Sequence, residues 1–419
     1  MRLTLFKPSE ATAVFPGLTG GRRTRSTAVG GLGCGRSGCE SLDNSRQNLW
    51  SLPSIPLVLA YLAFPLADMT TRAFGRVPFR SWIDGAWLLL SLLAIVQSVL
   101  RLARPLHLPR LPVASLIAFP IVLFLAYVTV VGKDFVGATY AMELKPIFYI
   151  AVAWLWVLVY GFPSKRAYVQ AGLYLSALIA AELVVSSILQ RTLVRPTGSG
   201  EVNYDACLII LSLCVALTDE SNSMLHSYLL FAGIMFTFSR TAVTTALIIL
   251  LLSRRVPKSA KLIALSASVA SALLSFLVRG LEIDVGQIDR YLMWTSAIQL
   301  FFTNPSGLVW GYGVGSQLPV SIPAGLEDLW HSQSQGINLS GVYAFQYHAM
   351  WLRMIISWGI FVVVTFLITM IAWILQNRDL LRRYLALTIV LEGFSMGVVY
   401  LSNVGVPLFI LLLLACRDI

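Results

Sequence analysis

Long uninterrupted apolar runs recur from residue 51 to the C-terminal end, and they constrain this chain more than any motif does. Membrane β-barrel strands alternate apolar and polar side chains. These runs do not alternate, so they predict helices. Spans are read near 51–67, 82–100, 113–131, 146–162, 171–190, 206–218, 225–238, 241–253, 262–278, 347–375, 385–402 and 404–416. A full crossing takes roughly 20 residues, and the runs between 206 and 253 are individually short for one. Charged residues make up 12% of the chain and hydrophobic ones 57%, against about 25% and about 45–50% in a soluble domain. Such a chain cannot cover a water-facing surface of ordinary size. That excludes a soluble globular enzyme, a disordered chain and a small secreted scaffold. The expected fold is all-α: a polytopic membrane protein with about twelve transmembrane helices in residues 51–419.

Lysine and arginine set the orientation. With both termini cytoplasmic, the inner loops and tails carry about twice as many of them as the opposite side. One helix over 225–253 would put the basic Arg254-Arg255-Val-Pro-Lys258 turn on the wrong side, so two spans meeting at Ser239-Arg240 are preferred. The net charge of +11 then reflects topology and contact with anionic lipid. No basic stripe with interleaved aromatics argues for nucleic acid. Residues 1–50 are rich in Gly, Ser and Arg and read as a floppy cytoplasmic tail, or as a start site placed too early. The five cysteines contain no C-x-x-C pair, and the four histidines (His107, His226, His331, His348) are scattered. Neither a disulfide framework nor a metal site is expected.

A charge inside a span is costly, starting at roughly 2.5–3.5 kcal/mol for Arg at a helix centre. The charges to explain are Asp84, Glu182, Arg240, Arg353 and Glu392. Glu182 and Glu392 fit hydrogen-bonded positions inside the bundle. Arg240 stands between two apolar runs in Phe236-Thr-Phe-Ser-Arg-Thr-Ala242, where neither helix needs it. Three other places share its side of the membrane. One is the loop Arg191-Thr-Leu-Val-Arg195-Pro-Thr-Gly198-Ser-Gly-Glu-Val-Asn203. Another is Asp289-Arg290-Tyr-Leu-Met-Trp294, followed by Asn304-Pro305 and Gly311-Tyr-Gly313-Val-Gly315. The third is His348, at the entry to a span. Residues 279–346 form the longest polar segment after the tail and read as an extracytoplasmic loop, which at that length is usually functional.

Arg195, Arg240, Arg290 and His348 can therefore converge on one face. Arginine suits phosphate because its planar fork donates paired hydrogen bonds and stays charged. Outside the cytoplasm no nucleotide triphosphate activates a donor, so a lipid diphosphate is the fitting one. Arginines would offset charge on the departing diphosphate. A histidine, titrating near neutrality, would take the proton from an acceptor hydroxyl.

At these residues the chain resembles the O-antigen ligase and O-antigen polymerase family of bacterial membrane glycosyltransferases. Four segments carry the likeness over roughly 190–375: Arg195-Pro-Thr-Gly198 to Asn203, Phe238-Ser-Arg240-Thr-Ala242, Arg290-x3-Trp294 running to Gly311-x-Gly313, and His348 with Gly359-Ile360. The resemblance implies a GT-C-like helical fold in the bacterial inner membrane. It implies transfer of a glycan from undecaprenyl diphosphate to the hydroxyl of a glycan or lipid acceptor, with no metal, nucleotide sugar or other cofactor. Carried over by position, Arg240 and Arg290 hold the diphosphate, Arg195 assists and His348 is the base. The chain departs from the family at Ala349, where Asn often follows the histidine, and at Ser357, where an acid often precedes the glycine. No Arg-x10-Gly repeat marks it as a polymerase, and ligation and polymerisation both stay open. The rival readings are a twelve-span transporter or lipid-linked saccharide flippase, and a catalytically silent relative.

Overall fold

Helices make up nearly all the regular structure of the residues described in the computed structural model: 49–73, 80–100, 137–199, 201–279, 289–321, 341–375 and 379–417. Side chains at 73, 80–81, 137–138, 276–279 and 289–291 lie outside that description. So do most of the tail, the expected span 113–131, and 280–288 and 322–340 of the expected loop. All the described residues belong to the unit Asn44–Ile419.

In chain order the helices are α1 (Leu52–Arg72), α2 (Arg80–Leu100), α3 (Gly137–Glu143), α4 (Lys145–Tyr160), α5 (Lys165–Gln190), α6 (Val202–Thr218) and α7 (Met224–Phe236). There follow α8 (Arg240–Leu252), α9 (Lys258–Arg279), α10 (Asp289–Thr303), α11 (Pro305–Trp310), α12 (Met350–Trp358), α13 (Ile360–Leu375), α14 (Leu380–Glu392) and α15 (Gly405–Arg417). The strands among the described residues are β1 (Gln317–Leu318) and β2 (Val342–Tyr343), paired antiparallel with Gln317 opposite Tyr343. Inside α1 a π turn at Leu59–Ala63 precedes Pro65, whose ring cannot donate to the carbonyl one turn back.

The apolar pattern explains the layering. α6 is apolar around its whole circumference and is buried from Asp205 to Leu217. A helix with no polar face belongs at the centre, and α5, α7, α8 and α14 pack around it. Small residues bring α5, α6 and α7 together. A Cβ on Gly172 would stand 2.4 Å from the Ser212 Cβ, and one on Gly233 the same distance from the Ser176 Cβ. Lipid gives apolar side chains little reason to leave it, so close backbone packing at small residues holds such helices together. On the outside, α2 exposes Leu88, Leu89, Leu92, Leu93, Val96 and Val99, and α9 exposes Leu262, Ile263, Val269 and Leu273. Apolar outer faces of this extent suit lipid, not water.

Among the described residues three helices are long and apolar enough to cross a membrane: Leu52–Arg72, Trp82–Leu100 and Lys165–Gln190. Others, such as α4, α6, α7, α8, α13 and α15, are apolar but shorter. Two of the expected spans are not continuous helices. The segment 347–375 breaks at Gly359, where φ is +81° and the backbone lies against Val309 and Gly311. The segment 385–402 leaves the helix at Gly393 and continues as an irregular connector, 393–404, with one 3-10 turn at Val398–Tyr400.

Both breaks are built around backbone that a membrane helix would hide. Irregular backbone at membrane depth persists only where protein buries it, and the connector is buried almost throughout. At the opposite end of the bundle basic side chains cap carbonyls. Arg255 donates to Ala216, Asp219 and Asn222, and Arg382 donates to Ala415.

Candidate functional site

The site grows from carboxylates that hold a loop. Residues 191–201 join α5 to α6, and Glu182 of α5 reaches across them. Its Oε1 accepts from the Thr197 amide (3.0 Å) and hydroxyl (2.7 Å), and its Oε2 accepts from the Gly198 amide (2.9 Å). Asp205, buried at the start of α6, accepts from the Ser199 amide (2.7 Å) and hydroxyl (2.6 Å). Gly198 adopts φ +55°, and a Cβ there would overlap the Asp205 carboxylate, so only glycine fits. Arg72, paired with Asp68 at 3.0 Å, donates to the Gly198 carbonyl. These bonds occupy the amides of residues 197–199 with protein carboxylates.

Arg195 links this loop to the next turn. Its Nε donates to the Thr237 carbonyl (3.3 Å) and its Nη2 to Asn203 Oδ1 (2.8 Å). Thr237-Phe238-Ser239 is the turn between α7 and α8. The Thr237 hydroxyl donates to Ile234 O and accepts from the Ser239 amide. Phe238 is held at φ +50°, an uncommon conformation for a bulky side chain that the surroundings must enforce. Arg240 follows as the first, exposed residue of α8.

Below Arg240, α8 and α9 leave a cleft of about 220 Å³ lined by Phe238, Val243, Thr244, Leu247, Val269 and Ala272. Ser268 and Ser271 also line it, but their hydroxyls donate to the carbonyls of Ala264 and Met235. The walls are therefore apolar, and a cation stands at the end.

The connector 393–404 gathers the other segments. Ser395 donates to the Thr241 hydroxyl (3.1 Å), one residue past Arg240. The Met396 carbonyl accepts from the Met350 amide (3.2 Å), two residues past His348. Tyr149 donates to Asp84 (2.8 Å), which pairs with Lys145 at 2.8 Å, and the Tyr149 and Ser402 hydroxyls share a hydrogen bond of 2.9 Å. Asn403 donates to Ser199 (3.1 Å) in the Arg195 loop. The segments bearing Arg195, Arg240 and His348 are thus tied into one polar layer. His348 itself is half-buried. Arg290 is the second residue of α10, and its side chain is outside the described residues. α10 packs on α12, the helix that follows His348, with Met293, Ala297 and Leu300 in one core with Leu352 and Ile356.

The layer lies at the depth of apolar surface. From Glu182, α5 runs eight more residues to Gln190, about 12 Å at ~1.5 Å per residue. Over that length Val184, Val185, Ile188 and Leu189 are exposed.

Three features of the structure are not read from the sequence. The glycine run 311–315 packs backbone against backbone: Gly311 lies on Ser357 and Gly359, Gly315 lies on Tyr140, and the Tyr312 amide donates to Ile356 O (2.7 Å). Missed entirely was Glu143. Its carboxylate meets Arg353 Nε at 3.1 Å through both oxygens and accepts from the Ser357 hydroxyl at 3.1 Å. An acid from the end of the distant helix α3 thus sits beside the serine that stands where the resemblance leads one to expect an acid. Burial pushes the Glu143 carboxyl above the ordinary range, against the pull of Arg353 and Ser357. The connector, too, replaces helix that the apolar run over 385–402 predicts, and Gly393, Ser395, Gly397, Ser402 and Asn403 are the polar and small residues that interrupt the apolar sequence there. Glu182 is hydrogen-bonded as expected, though half-exposed and to a loop and not inside the bundle, and Glu392 is fully buried. Among the described residues no group of His, Cys, Asp and Glu could hold a metal ion.

No protein-family model matches this chain, and neither does a curated protein or a solved structure.

Proposed function

We propose that this chain is a bacterial inner-membrane glycosyltransferase of O-antigen or exopolysaccharide assembly. It polymerises or ligates a saccharide carried on undecaprenyl diphosphate, at the extracytoplasmic face and without a metal. The observation that carries this reading is the apolar cleft ending on Arg240, in the same polar layer as the Arg195 loop and the start of the His348 helix. A polyprenyl chain needs apolar walls, and its diphosphate needs guanidinium groups at the end of them.

The acceptor hydroxyl oxygen attacks the anomeric carbon of the donor sugar as its bond to the diphosphate oxygen breaks. The proton passes to the His348 imidazole, and the electron pair leaves with the diphosphate. Arg240 and Arg290 balance that charge, and Arg195 fixes the turn that presents Arg240. The acceptor is the growing glycan or a lipid-linked core.

Arg240→Ala, Arg290→Ala and His348→Ala are each expected to abolish surface polysaccharide while the protein still inserts, with transfer falling roughly 10²–10⁴-fold. Normal glycan in all three variants would end this reading. A second reading rests on the Lys145–Asp84–Tyr149 cluster and on the fully buried Glu392, charges that suit a transporter or flippase. Donor that crosses the bilayer of a vesicle with no change in glycan length or attachment would favour it.

A further inference from the structure

The helix that follows His348 is short. α12 has nine residues, too few to hold a unique orientation by its own hydrogen bonds. Apolar packing through Leu352 and Ile356 is not directional and tolerates a helix that rolls or slides. The opposite requirement, a fixed roll, is met by charge. Arg353 and Ser357 are four residues apart and so lie on one face, and both bond the Glu143 carboxylate. Nη2 of Arg353 also donates to the Met142 carbonyl (2.6 Å), and the guanidinium lies 3.7 Å from the centre of the Tyr400 ring. Arg353 is 7% exposed and Glu143 1%. One carboxylate on a separate element thus grips α12 at two points on one face, and Tyr400 of the connector backs the cation.

We propose that the Glu143–Arg353 pair is the positioning device for His348: it sets the roll and height of α12, and hence where the imidazole at its start stands in the polar layer. This rests on the reading of His348 as the group that takes the acceptor proton. The mechanism is geometric. α3 and α12 are far apart in sequence, and the connector supplies carbonyl acceptors for the first amides of α12. With the pair intact α12 has one seating. Without it the helix keeps its apolar contacts and its bonds from the Tyr312 amide to Ile356 O and from Trp351 Nε1 to Val390 O, and its roll loosens about them.

The test uses the full chain in lipid nanodiscs. Acylation of His348 by diethyl pyrocarbonate is followed by peptide mass spectrometry. His226 at the far end of α7 serves as internal reference, and a melting curve establishes folding. In Glu143→Gln and Arg353→Lys the His348 rate relative to His226 is expected to change roughly threefold to tenfold, with Glu143→Asp in between. If Glu143→Gln does not fold, Arg353→Lys and Glu143→Asp carry the test, since both keep the two charges. Rates within about twofold of wild type in every variant that melts cooperatively overturn the proposal.

Turnover is read as release of undecaprenyl diphosphate from the undecaprenyl-diphosphate-linked oligosaccharide of host membranes. kcat is expected to fall roughly 10²-fold with KM for the donor little changed, as misplacement of a reacting group requires. A KM that rises while kcat holds overturns the proposal as well. Transfer that survives in His348→Ala ends the catalytic reading and leaves the acylation result standing. Unchanged acylation with an inactive His348→Ala ends the positioning role alone.

Discussion

A buried guanidinium shows how one residue can decide more than its own contacts. Arg353 is at home in an apolar segment because Glu143, Ser357, Met142 and Tyr400 surround it. Removing one partner of a buried pair strands the other charge and costs about 3–5 kcal/mol, whereas replacing both by apolar groups is often nearly neutral. Glu143→Leu is therefore expected to lower the melting temperature in detergent sharply. Glu143→Leu with Arg353→Met is expected to recover most of the loss. A double variant as unstable as the single one would show that the pair is not an isolated electrostatic unit. Arg195 makes the complementary point: its bonds to Thr237 and Asn203 make it a tie between two turns, so in the proposed diphosphate site its role would pass through the placement of Arg240.

At the scale of elements, the bundle depends on how closely α5, α6 and α7 approach. Gly172 faces Ser212, and Gly233 faces Ser176. Leucine at 172 has no space unless α6 moves away, and overpacking of this kind costs about 1–3 kcal/mol or more. Gly172→Leu is expected to lose the monodisperse peak on size exclusion in detergent, while Gly85→Leu, where nothing lies within 4 Å of an added Cβ, keeps it. A monodisperse Gly172→Leu would mean that these helices are held apart. The connector 393–404 belongs to the same scale. It gives up helical hydrogen bonds in order to present Ser395 and Ser402 to two different helices and Asn403 to the loop before α6, and it recovers acceptors and donors from the amides and side chains that converge on it.

For the whole molecule, the two ends of the bundle differ in kind. One carries the polar layer, and the other carries arginines that cap helix carbonyls. The proposed orientation puts the first outside the cytoplasm. Exposed Ser221 and Thr197 sit at opposite ends of α6, so single cysteines placed there read the topology. Thr197→Cys is expected to react with an impermeant maleimide in intact cells, and Ser221→Cys only after permeabilisation. The reverse pattern would turn the molecule over and remove the polar layer from the side where a lipid-diphosphate donor is proposed to react.

Much of the fold was legible because lipid imposes a one-dimensional rule: a helix that meets hydrocarbon must be apolar along its length, and that length can be counted in the chain. Helical class and the turn at Ser239-Arg240 follow from it. The same rule misled at 347–375 and 385–402, where apolar residues are equally at home in a short helix or an irregular connector buried by protein. Arg195, Arg240 and His348 stood out as polar groups amid apolar runs. Glu143 did not, because its meaning comes from a partner 210 positions away. The chain by itself determined which segments are apolar and helical, since that depends on local composition. Tertiary structure alone decided which charges meet, because burial makes a charge acceptable only through partners that folding brings from elsewhere.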